Sequence, residues 1–350
     1  MGTVRQEQVD RYPADYHGCG IVEDRLKQAL KVDTHKELLE KLKVDIVDIR
    51  GVVDPTWVAD FPKNRYVNGI KETYLGFQMK EQDTVFGKVE EHCGFQLEDA
   101  ESVEDLEKFR WPQVDWFDFT DFADRLKEYD DFAVMASGAS VYQHPTLVRG
   151  IDNLLCDMIT DPEIADFIMW KYTNFYLDYY AKMFESAPGK IDILRCADDL
   201  GMQDRCMLGE KEVRRFILPP VKALADMAHS YGVKFMFHSC GAVSQFIPLL
   251  MDVGVDILDP LQPLAKDMNP ENIASKFLGK ICLHGSVDTQ YTLPKGSPDD
   301  VRAEVQHRMR IYGANKTGFI IAPSHSLQPD VKTENILALY DEVDKINQNF

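Results

Sequence analysis

The sequence predicts an α/β protein whose strands form an eight-stranded (β/α) barrel of the TIM type. Two observations favour this fold class. Short apolar segments alternate with helix-period segments through most of the 350-residue chain. Polar side chains follow almost every one of these apolar segments, and (β/α) barrels carry their chemistry at the C-terminal ends of their strands.

Seven segments have the apolar, β-branched composition of buried parallel strands. They are residues 44–50, 131–136, 190–195, 233–237, 255–258, 281–283 and 317–321. Helix-period segments follow them, at residues 162–185, 211–231, 242–253, 298–312 and 333–347. Strands separated by helices pair in parallel, so seven recognised strands indicate a barrel with one strand unrecognised. A doubly wound open sheet is the alternative, but no Gly-rich nucleotide fingerprint follows any strand.

Residues 51–130 differ from the rest of the chain. They contain scattered aromatic residues and acidic runs, and we interpret them as a long elaboration between the first two strands, in the N-terminal part of the barrel. The chain has no internal repeat and no low-complexity linker, so residues 1–350 are expected to form a single domain.

The charge balance and cysteine usage limit the classes of partner. The formal net charge of −19 argues against nucleic acid and against anionic membrane surfaces. No apolar run reaches the roughly 18 residues of a membrane-spanning helix, and residues 1–15 lack the apolar core of a secretory signal. Seven cysteines without regular spacing fit reduced thiols, so a cytoplasmic location is expected. The oligomeric state stays open, with a homodimer as one candidate.

The most informative motif is His238-Ser239-Cys240-Gly241, which follows the apolar strand 233–237. Neutral imidazole and thiolate are common zinc ligands, and residues two apart on a strand face the same side. Both side chains could therefore reach one metal ion. A buried cysteine beside a hydrogen-bonded histidine is the alternative. His17-Gly18-Cys19 repeats the pattern, but no recognised strand precedes it, and we interpret it as chance.

The other predicted strand ends also carry small, acidic or imidazole side chains. These residues are Ser137, Asp198, Asp199, Gln262, His284, Asp288 and His325. Turn chemistry favours Asp and Ser at such places, but it does not account for three histidines and a paired Asp-Asp at one end. We therefore expect these residues to converge on one pocket.

Several of these strand-end motifs together resemble a known superfamily. The matching stretches are residues 198–201 (DDLG), 237–241 (FHSCG), 255–263 (VDILDPLQP), 285–290 (GSVDTQ) and 321–325 (IAPSH), with 328–330 (QPD) and 334–336 (ENI). They are similar to the uroporphyrinogen decarboxylase superfamily, in its cobalamin-dependent methyltransferase branch. The resemblance covers the C-terminal half well and the N-terminal half loosely. It implies a (β/α) barrel and, in the methyltransferases, a catalytic zinc held by an H-x-C pair and a distant cysteine.

This chain departs from that pattern at the third ligand, because His325 stands where the distant cysteine is expected. The expected zinc ligands are thus His238, Cys240 and His325, with Asp199 or Asp198 as a further candidate. A metal-free site, in which His325 only hydrogen-bonds substrate, is the alternative.

Roles are also expected for the remaining strand-end residues. Of the adjacent Asp198 and Asp199, one is expected to face the pocket and the other to hold the loop. The residues expected to take part in catalysis are Asp198, Asp199 and His284, and those expected to bind substrate are Ser137, Gln262 and Asp288.

An imidazole in place of a thiolate leaves less negative charge on the zinc, which makes it a better Lewis acid. We therefore expect it to activate the oxygen of a small O-methyl donor, such as a methoxylated aromatic. A reduced corrinoid (cobalamin) carried by a partner protein is expected to accept the methyl group, as in O-demethylases.

A decarboxylase acting on a porphyrinogen is the runner-up. The predicted loops offer few Arg or Lys residues for a polycarboxylate, and an H-x-C pair has no evident task there. A non-catalytic corrinoid-binding protein would not need acid, thiol and imidazole groups converging on one pocket.

Overall fold

The computed structural model describes residues 1–349. Its helices are α1 (Gly20–Leu30), α2 (His35–Leu42), α3 (Val103–Glu107), α4 (Phe122–Leu126), α5 (Gln143–Arg149), α6 (Ile151–Thr160), α7 (Pro162–Ser186), α8 (Glu210–Glu212), α9 (Leu218–Ser230), α10 (Ile247–Asp252), α11 (Pro270–Phe277), α12 (Thr292–Lys295), α13 (Pro298–Tyr312) and α14 (Thr333–Asn347). A π-helical turn, Val213–Ile217, joins α8 to α9. Among the helices of residues 1–349, none combines the length and hydrophobicity that crossing a membrane requires.

The strands fall into one large parallel sheet and two small antiparallel ones. They are β1 (Ile46–Asp48), β2 (Thr56–Trp57), β3 (Asn64–Val67), β4 (Ile70–Thr73), β5 (Gln78–Thr84), β6 (Gly87–Gly94), β7 (Phe117–Asp118), β8 (Ala133–Ala139), β9 (Ile193–Ala197), β10 (Lys234–His238), β11 (Ile257–Leu261), β12 (Cys282–Val287) and β13 (Phe319–Pro323). The parallel sheet has the order β1-β8-β9-β10-β11-β12-β13 and is surrounded by helices. All seven predicted strands are confirmed, and so is the TIM-type fold class.

The two edges of the parallel sheet meet through residues 13–15. Asp15 N donates to Ile321 O at 3.0 Å, Ile321 N donates to Pro13 O at 3.0 Å, and Asp45 N donates to Ala14 O at 2.9 Å. This short extended segment bonds β13 on one side and Asp45, just before β1, on the other, in the position that an eighth strand would take. The interpretation of His17-Gly18-Cys19 as a chance repeat of the pattern stays a prediction.

Side chains inside the barrel form layers, because alternate residues of each strand face inward. The lower layer is apolar and takes one residue from each strand of the parallel sheet, with Val4 beside it: Ile46, Met135, Ile193, Met236, Ile257, Cys282 and Ile320. Two residues further along the same strands, the next layer is almost entirely polar: Asp48, Ser137, Arg195, His238, Asp259, His284 and Ala322. The apolar layer supports a polar floor at the C-terminal mouth of the barrel.

The elaboration predicted at residues 51–130 is present between β1 and β8. It contains the antiparallel sheet β3-β4-β5-β6, the β2–β7 pair and the short helices α3 and α4. Trp57 packs against Trp116, with ring centroids 5.6 Å apart. The elaboration is tied to the barrel helix α7 by Tyr172, whose hydroxyl donates to Leu75 O at 2.5 Å.

Candidate metal centre

Three metal-ligating side chains meet at the C-terminal ends of β9 and β10. A carboxylate oxygen of Asp199, a ring nitrogen of His238 and the thiol of Cys240 all lie within 4.8 Å of one another. His238 Nε2 is 3.5 Å from Cys240 Sγ and 3.6 Å from Asp199 Oδ1. Within residues 1–349, no other set of three or more His, Cys, Asp or Glu side chains is this close together.

Two glycines bring the two strand ends into contact. Gly241 has a φ of +87°, and a Cβ atom there would lie 2.4 Å from the carbonyl carbon of Gly201. A Cβ on Gly201 would in turn lie 2.7 Å from Ala242 N. The close backbone approach lets Cys240 N donate to Asp199 Oδ1 at 2.9 Å. This fixes the carboxylate beside the thiol.

The turn after Gly241 also corrects one predicted element. Residues 242–253 were expected to be helical throughout, but α10 begins only at Ile247. Phe246 N donates to Val243 O at 2.8 Å, so residues 243–246 form a turn instead of a regular helix. The left-handed backbone at Gly241 directs the chain back across Gly201 before a helix can start.

His238 is held from behind by Asp259. The two residues are paired in register on β10 and β11, and His238 Nδ1 lies 2.7 Å from Asp259 Oδ2. When Nδ1 carries the proton and donates it to this carboxylate, Nε2 presents its lone pair to Cys240 and Asp199. A carboxylate behind the histidine is the common arrangement around metal-binding imidazoles, because it fixes both tautomer and ring orientation.

Asp259 is the centre of a buried charge network. Arg195 Nε donates to Asp259 Oδ2 at 2.8 Å, and Arg195 Nη2 lies 2.6 Å from His238 Nδ1. On the other side, His284 Nδ1 lies 2.8 Å from Asp259 Oδ1. Burial alone would raise the pKa of Asp259, but the positive charge of Arg195 and the two imidazoles outweigh burial and hold it well below its usual range.

His284 is enclosed by two carboxylates. Its Nδ1 faces Asp259, and its Nε2 lies 3.0 Å from Asp15 Oδ2 on the closing strand. Burial alone would lower the pKa of His284, but Asp259 and Asp15 together raise it to about 9. The side chain is therefore an imidazolium at neutral pH, and both of its nitrogens are engaged.

Asp198 and Asp199 have different surroundings. Asp198 is fully buried, and its carboxylate accepts from Ser140 Oγ at 2.6 Å. It also accepts from the backbone N–H groups of residues 141, 142 and 143 at 2.9, 2.8 and 2.7 Å. These bonds occupy both oxygens and hold the loop before α5. Only Asp199 belongs to the three-residue cluster.

The three residues expected to bind substrate all bond to the protein itself. Ser137 Oγ donates to Asp48 Oδ2 at 2.6 Å. Gln262 Oε1 accepts from Gly241 N at 2.7 Å and so supports the His238–Gly241 turn. Asp288 accepts from the backbone N–H groups of residues 290, 291 and 292, each at 2.9 Å, and organises the chain before α12. A role in substrate binding stays a prediction for each of them.

His325 lies at the same barrel mouth but outside the three-residue cluster. It lines a small space of about 20 Å³ together with His17 and His238, a volume that suits about one water molecule. His325 Nδ1 lies 3.2 Å from Ser326 O. Metal ligation by His325 stays a prediction, and Asp199 occupies the place beside His238 and Cys240.

Sequence reasoning missed four residues of this network: Asp15, Asp48, Arg195 and Asp259. The predicted site residues follow the strands, whereas Asp48 and Arg195 lie within them. Asp259 directly follows the predicted strand 255–258, and the structure includes it in β11. A usable signal is present, because Asp48, Arg195 and Asp259 each stand two residues after an apolar interior residue. Asp15 lies on the unrecognised closing strand.

Comparisons with known proteins agree with this architecture. The sequence matches the family described as "Uroporphyrinogen decarboxylase (URO-D)" over residues 74–346. No curated protein sequence matches the chain significantly.

Among solved structures, a methyltransferase from Methanosarcina mazei aligns over 99% of this chain and 97% of its own, with a TM-score of 0.65 and 17% identity. At this identity the likeness concerns the fold. A D-psicose 3-epimerase from Clostridium cellulolyticum H10 aligns over 69% of this chain and 85% of its own, with a TM-score of 0.40 and 12% identity. The family match spans most of the chain and includes every residue of the three-residue cluster, so this protein belongs to the uroporphyrinogen decarboxylase (URO-D) family.

Proposed function

We propose that this protein is a zinc-dependent methyltransferase that moves a methyl group from a small O-methyl donor to a corrinoid protein, as O-demethylases do. The observation that carries the proposal is the cluster of Asp199, His238 and Cys240 with Asp259 behind the imidazole. A (β/α) barrel with this cluster at its mouth matches the place where such barrels carry their chemistry.

The donor set suits zinc. Imidazole nitrogen, thiolate and carboxylate are the three ligand types that zinc uses, and catalytic sites leave a fourth position open. His238 Nε2, Cys240 Sγ and Asp199 Oδ1 would hold the ion. A zinc ion bound there would act as a Lewis acid on the ether oxygen of the donor.

The third ligand bears on the choice of donor. A carboxylate from Asp199 or an imidazole from His325 is a harder ligand than the thiolate that the resemblance implies. Either one leaves the metal more electrophilic than two thiolates would, and this favours an oxygen-linked donor over activation of a thiol nucleophile. If Asp199 is the third ligand, Asp199→Asn should lose the metal. If His325 is the third ligand, His325→Ala should lose it.

The protein's own residues orient this site. Asp259 and Arg195 both hold the His238 ring at Nδ1, and metal ligation through Nε2 requires the tautomer in which Nδ1 carries the proton and donates it to Asp259. His284 is engaged at both nitrogens, so in this proposal it positions Asp259 and does not transfer a proton. The methyl acceptor is a reduced corrinoid carried by a partner protein that docks at the barrel mouth. The fold shared with a Methanosarcina mazei methyltransferase supports this reading.

Metal content tests the site directly. We expect about one zinc per chain by elemental analysis, and Cys240→Ser and Asp199→Asn should both lower occupancy sharply. Asp259→Asn should weaken zinc affinity by roughly 10–100-fold, because it removes the carboxylate behind His238.

Cys206→Ser is the matched control, because Cys206 lies on the neighbouring loop, where its thiol donates to Ala242 O at 3.0 Å. If His325→Ala loses zinc while Asp199→Asn keeps it, the ligand set is the one predicted from sequence. Wild-type protein that contains no stoichiometric zinc, when prepared without chelator, would rule out the proposal.

Turnover tests the reaction. The purified protein is mixed with cob(I)alamin and a panel of methoxylated compounds, and methylcobalamin formation is followed in the visible spectrum. We expect formation with at least one donor in wild-type protein and none in Cys240→Ser. If no donor reacts while uroporphyrinogen loses carbon dioxide in the same preparation, the protein is a decarboxylase.

A further inference from the structure

A larger cavity opens at the same end of the parallel sheet as the three-residue cluster of Asp199, His238 and Cys240. It has a volume of about 260 Å³ and lies between the ends of β1 and β8, helix α7 and the elaboration of residues 51–130. Six aromatic side chains line it: Tyr74, Phe77, Phe175, Tyr176, Tyr179 and Tyr180. Flat aromatic walls favour a planar ring as ligand, through stacked and edge-to-face contacts.

The cavity is also positively charged. Arg50 and Lys63 line it, and Asp54 is the one carboxylate among the lining residues. Lys63 Nζ is 3.8 Å from Asp54 Oδ2, so these two charges offset each other. The Arg50 side chain makes no hydrogen bond or ion pair with any residue from 1 to 349 and is exposed to solvent, so its guanidinium is available to a ligand at the cavity.

The position of Arg50 depends on Gly138. Gly138 has a φ of +111°, and a Cβ there would lie 3.3 Å from both Cδ and Nε of Arg50. Because Gly138 has no Cβ, the Arg50 side chain can lie against the end of β8. Arg50 stands two residues beyond Asp48, in the turn that follows β1.

Two phenol groups of the cavity are free to bind a ligand. Tyr180 and Tyr176 are already engaged, with Ser137 O and His144 respectively. The hydroxyls of Tyr74 and Tyr179 have no hydrogen-bond partner among residues 1–349. Two unpaired donors and one unpaired guanidinium thus face one small aromatic space.

We propose that this cavity binds a small aromatic carboxylate, with its ring among the tyrosine and phenylalanine side chains and its carboxylate on Arg50. Guanidinium pairs with carboxylate through two parallel hydrogen bonds, which gives charge and orientation together. A volume of about 260 Å³ suits one substituted benzene ring. It is below the roughly 300–1,000 Å³ of drug-sized sites and excludes a tetrapyrrole.

The location gives this cavity a role in the proposed reaction. Adjacent strands are about 4.8 Å apart, so β8, which borders the cavity, is about 5 Å from β9 and about 10 Å from β10, where the cluster lies. In a benzene ring with a carboxylate and a methoxy group at opposite positions, the distance between the two groups is comparable to this spacing between strands. This inference rests on the proposed function where it names the methyl donor as a methoxylated aromatic acid, but ligand binding can be tested without turnover.

Calorimetry with 4-methoxybenzoate, and with 4-methoxybenzyl alcohol as its uncharged counterpart, tests the binding site. We expect wild-type protein to prefer the acid, and Arg50→Gln to weaken acid binding by about tenfold or more while hardly changing binding of the alcohol. Arg50→Lys should recover part of the loss. Arg65→Gln is the control, because Arg65 pairs with Glu72 on the neighbouring antiparallel sheet and does not line the cavity.

The outcomes separate this inference from the proposed function. Acid binding should persist in Cys240→Ser, because the cavity does not use the metal ligands. If the acid binds and no methyl group is transferred, the proposed function fails and the binding site stands. Equal binding of acid and alcohol, no binding of either, or an unchanged affinity in Arg50→Gln would overturn the inference, even if another methyl ether proved to be a donor.

Discussion

Among individual residues, His284 has the most unusual environment. It is buried between Asp259 and Asp15. Through Asp259 it connects to His238 of the three-residue cluster, and through Asp15 it connects to residues 13–15. A buried imidazole normally prefers to be neutral, but two carboxylates reverse that preference. The charge of His284 is therefore coupled to the stability of the folded barrel.

The pKa of His284 predicts how stability depends on pH. It is raised to about 9 in the folded protein, against about 6.5 in an unfolded chain. The folded state thus holds the proton more tightly, so the stabilisation is complete below pH 6.5 and is lost as the pH rises through 9. The full contribution is about 3 kcal/mol. Urea unfolding of the wild type should show most of this loss between pH 6.5 and 8.5, and His284→Gln should show much less.

His307→Gln is the control for this experiment. His307 is partly exposed, and its Nε2 lies 3.3 Å from Glu271 Oε1 on the surface. Its removal should leave the pH dependence of unfolding nearly unchanged. Parallel curves for wild type and His284→Gln would contradict the assignment of a charged His284, whatever the absolute stabilities are.

At the level of elements, the contact between the β9 and β10 ends is a backbone contact. Gly201 and Gly241 approach so closely that a methyl group on either would meet main-chain atoms, which cannot move aside as a flexible side chain can. The DDLG and HSCG motifs each end in one of these glycines. The two motifs therefore reflect a packing requirement as well as the candidate metal ligands.

Gly241→Ala should be much more damaging than a typical glycine substitution. The left-handed φ of +87° costs an alanine about 1–2 kcal/mol, and the clash with Gly201 adds about 1–3 kcal/mol. Gly232→Ala is the matched control, with a φ of +76° but nothing within 4 Å of its Cβ. Chemical denaturation should show the larger loss for Gly241→Ala, together with reduced zinc binding. Equal losses in the two variants would mean that the Gly201 contact is unimportant.

The sequence predicts the presence of a strand or helix better than it predicts the residues at which that strand or helix begins and ends. Each central strand is buried on both faces, so its apolar run is continuous and easily recognised. The closing strand at residues 13–15 contains a proline and a charged residue, and only its hydrogen bonds to both neighbours identify it. Helix α10 starts late because of the left-handed backbone at Gly241, which a helical period does not reveal.

The sequence predicts those residues of the candidate site that follow the predicted strands. It does not predict a role for the residues inside the strands. His238, Cys240 and Asp199 follow from the motifs. Arg195 lies inside a predicted strand and Asp259 directly after one, and both become functional candidates only when the layers of the barrel interior are counted. Which of two adjacent aspartates faces the cluster depends on the local backbone, and composition carries no information about it.

For the molecule as a whole, closure of the barrel is the property that connects fold and site. Residues 13–15 bond β13 and Asp45, just before β1, and bring Asp15 to His284. Unpaired strand edges are sites of aggregation, and closure removes them. Tyr340 of α14 reinforces the segment, because its hydroxyl donates to Asp15 O at 2.9 Å.

Closure predicts a pattern of amide hydrogen exchange. The amides of Asp15, Asp45 and Ile321 should be protected almost as strongly as those of the central strand β10, because breaking their bonds requires the barrel to open. The amide of Phe86, at the exposed β5–β6 turn, should exchange far faster and serves as the internal reference. If the amides of Ala14 and Asp15 exchanged at the rate of Phe86, residues 13–15 would be only weakly attached to the sheet. The link between Asp15 and His284 would then form only transiently, and the pH dependence of unfolding would be correspondingly weak.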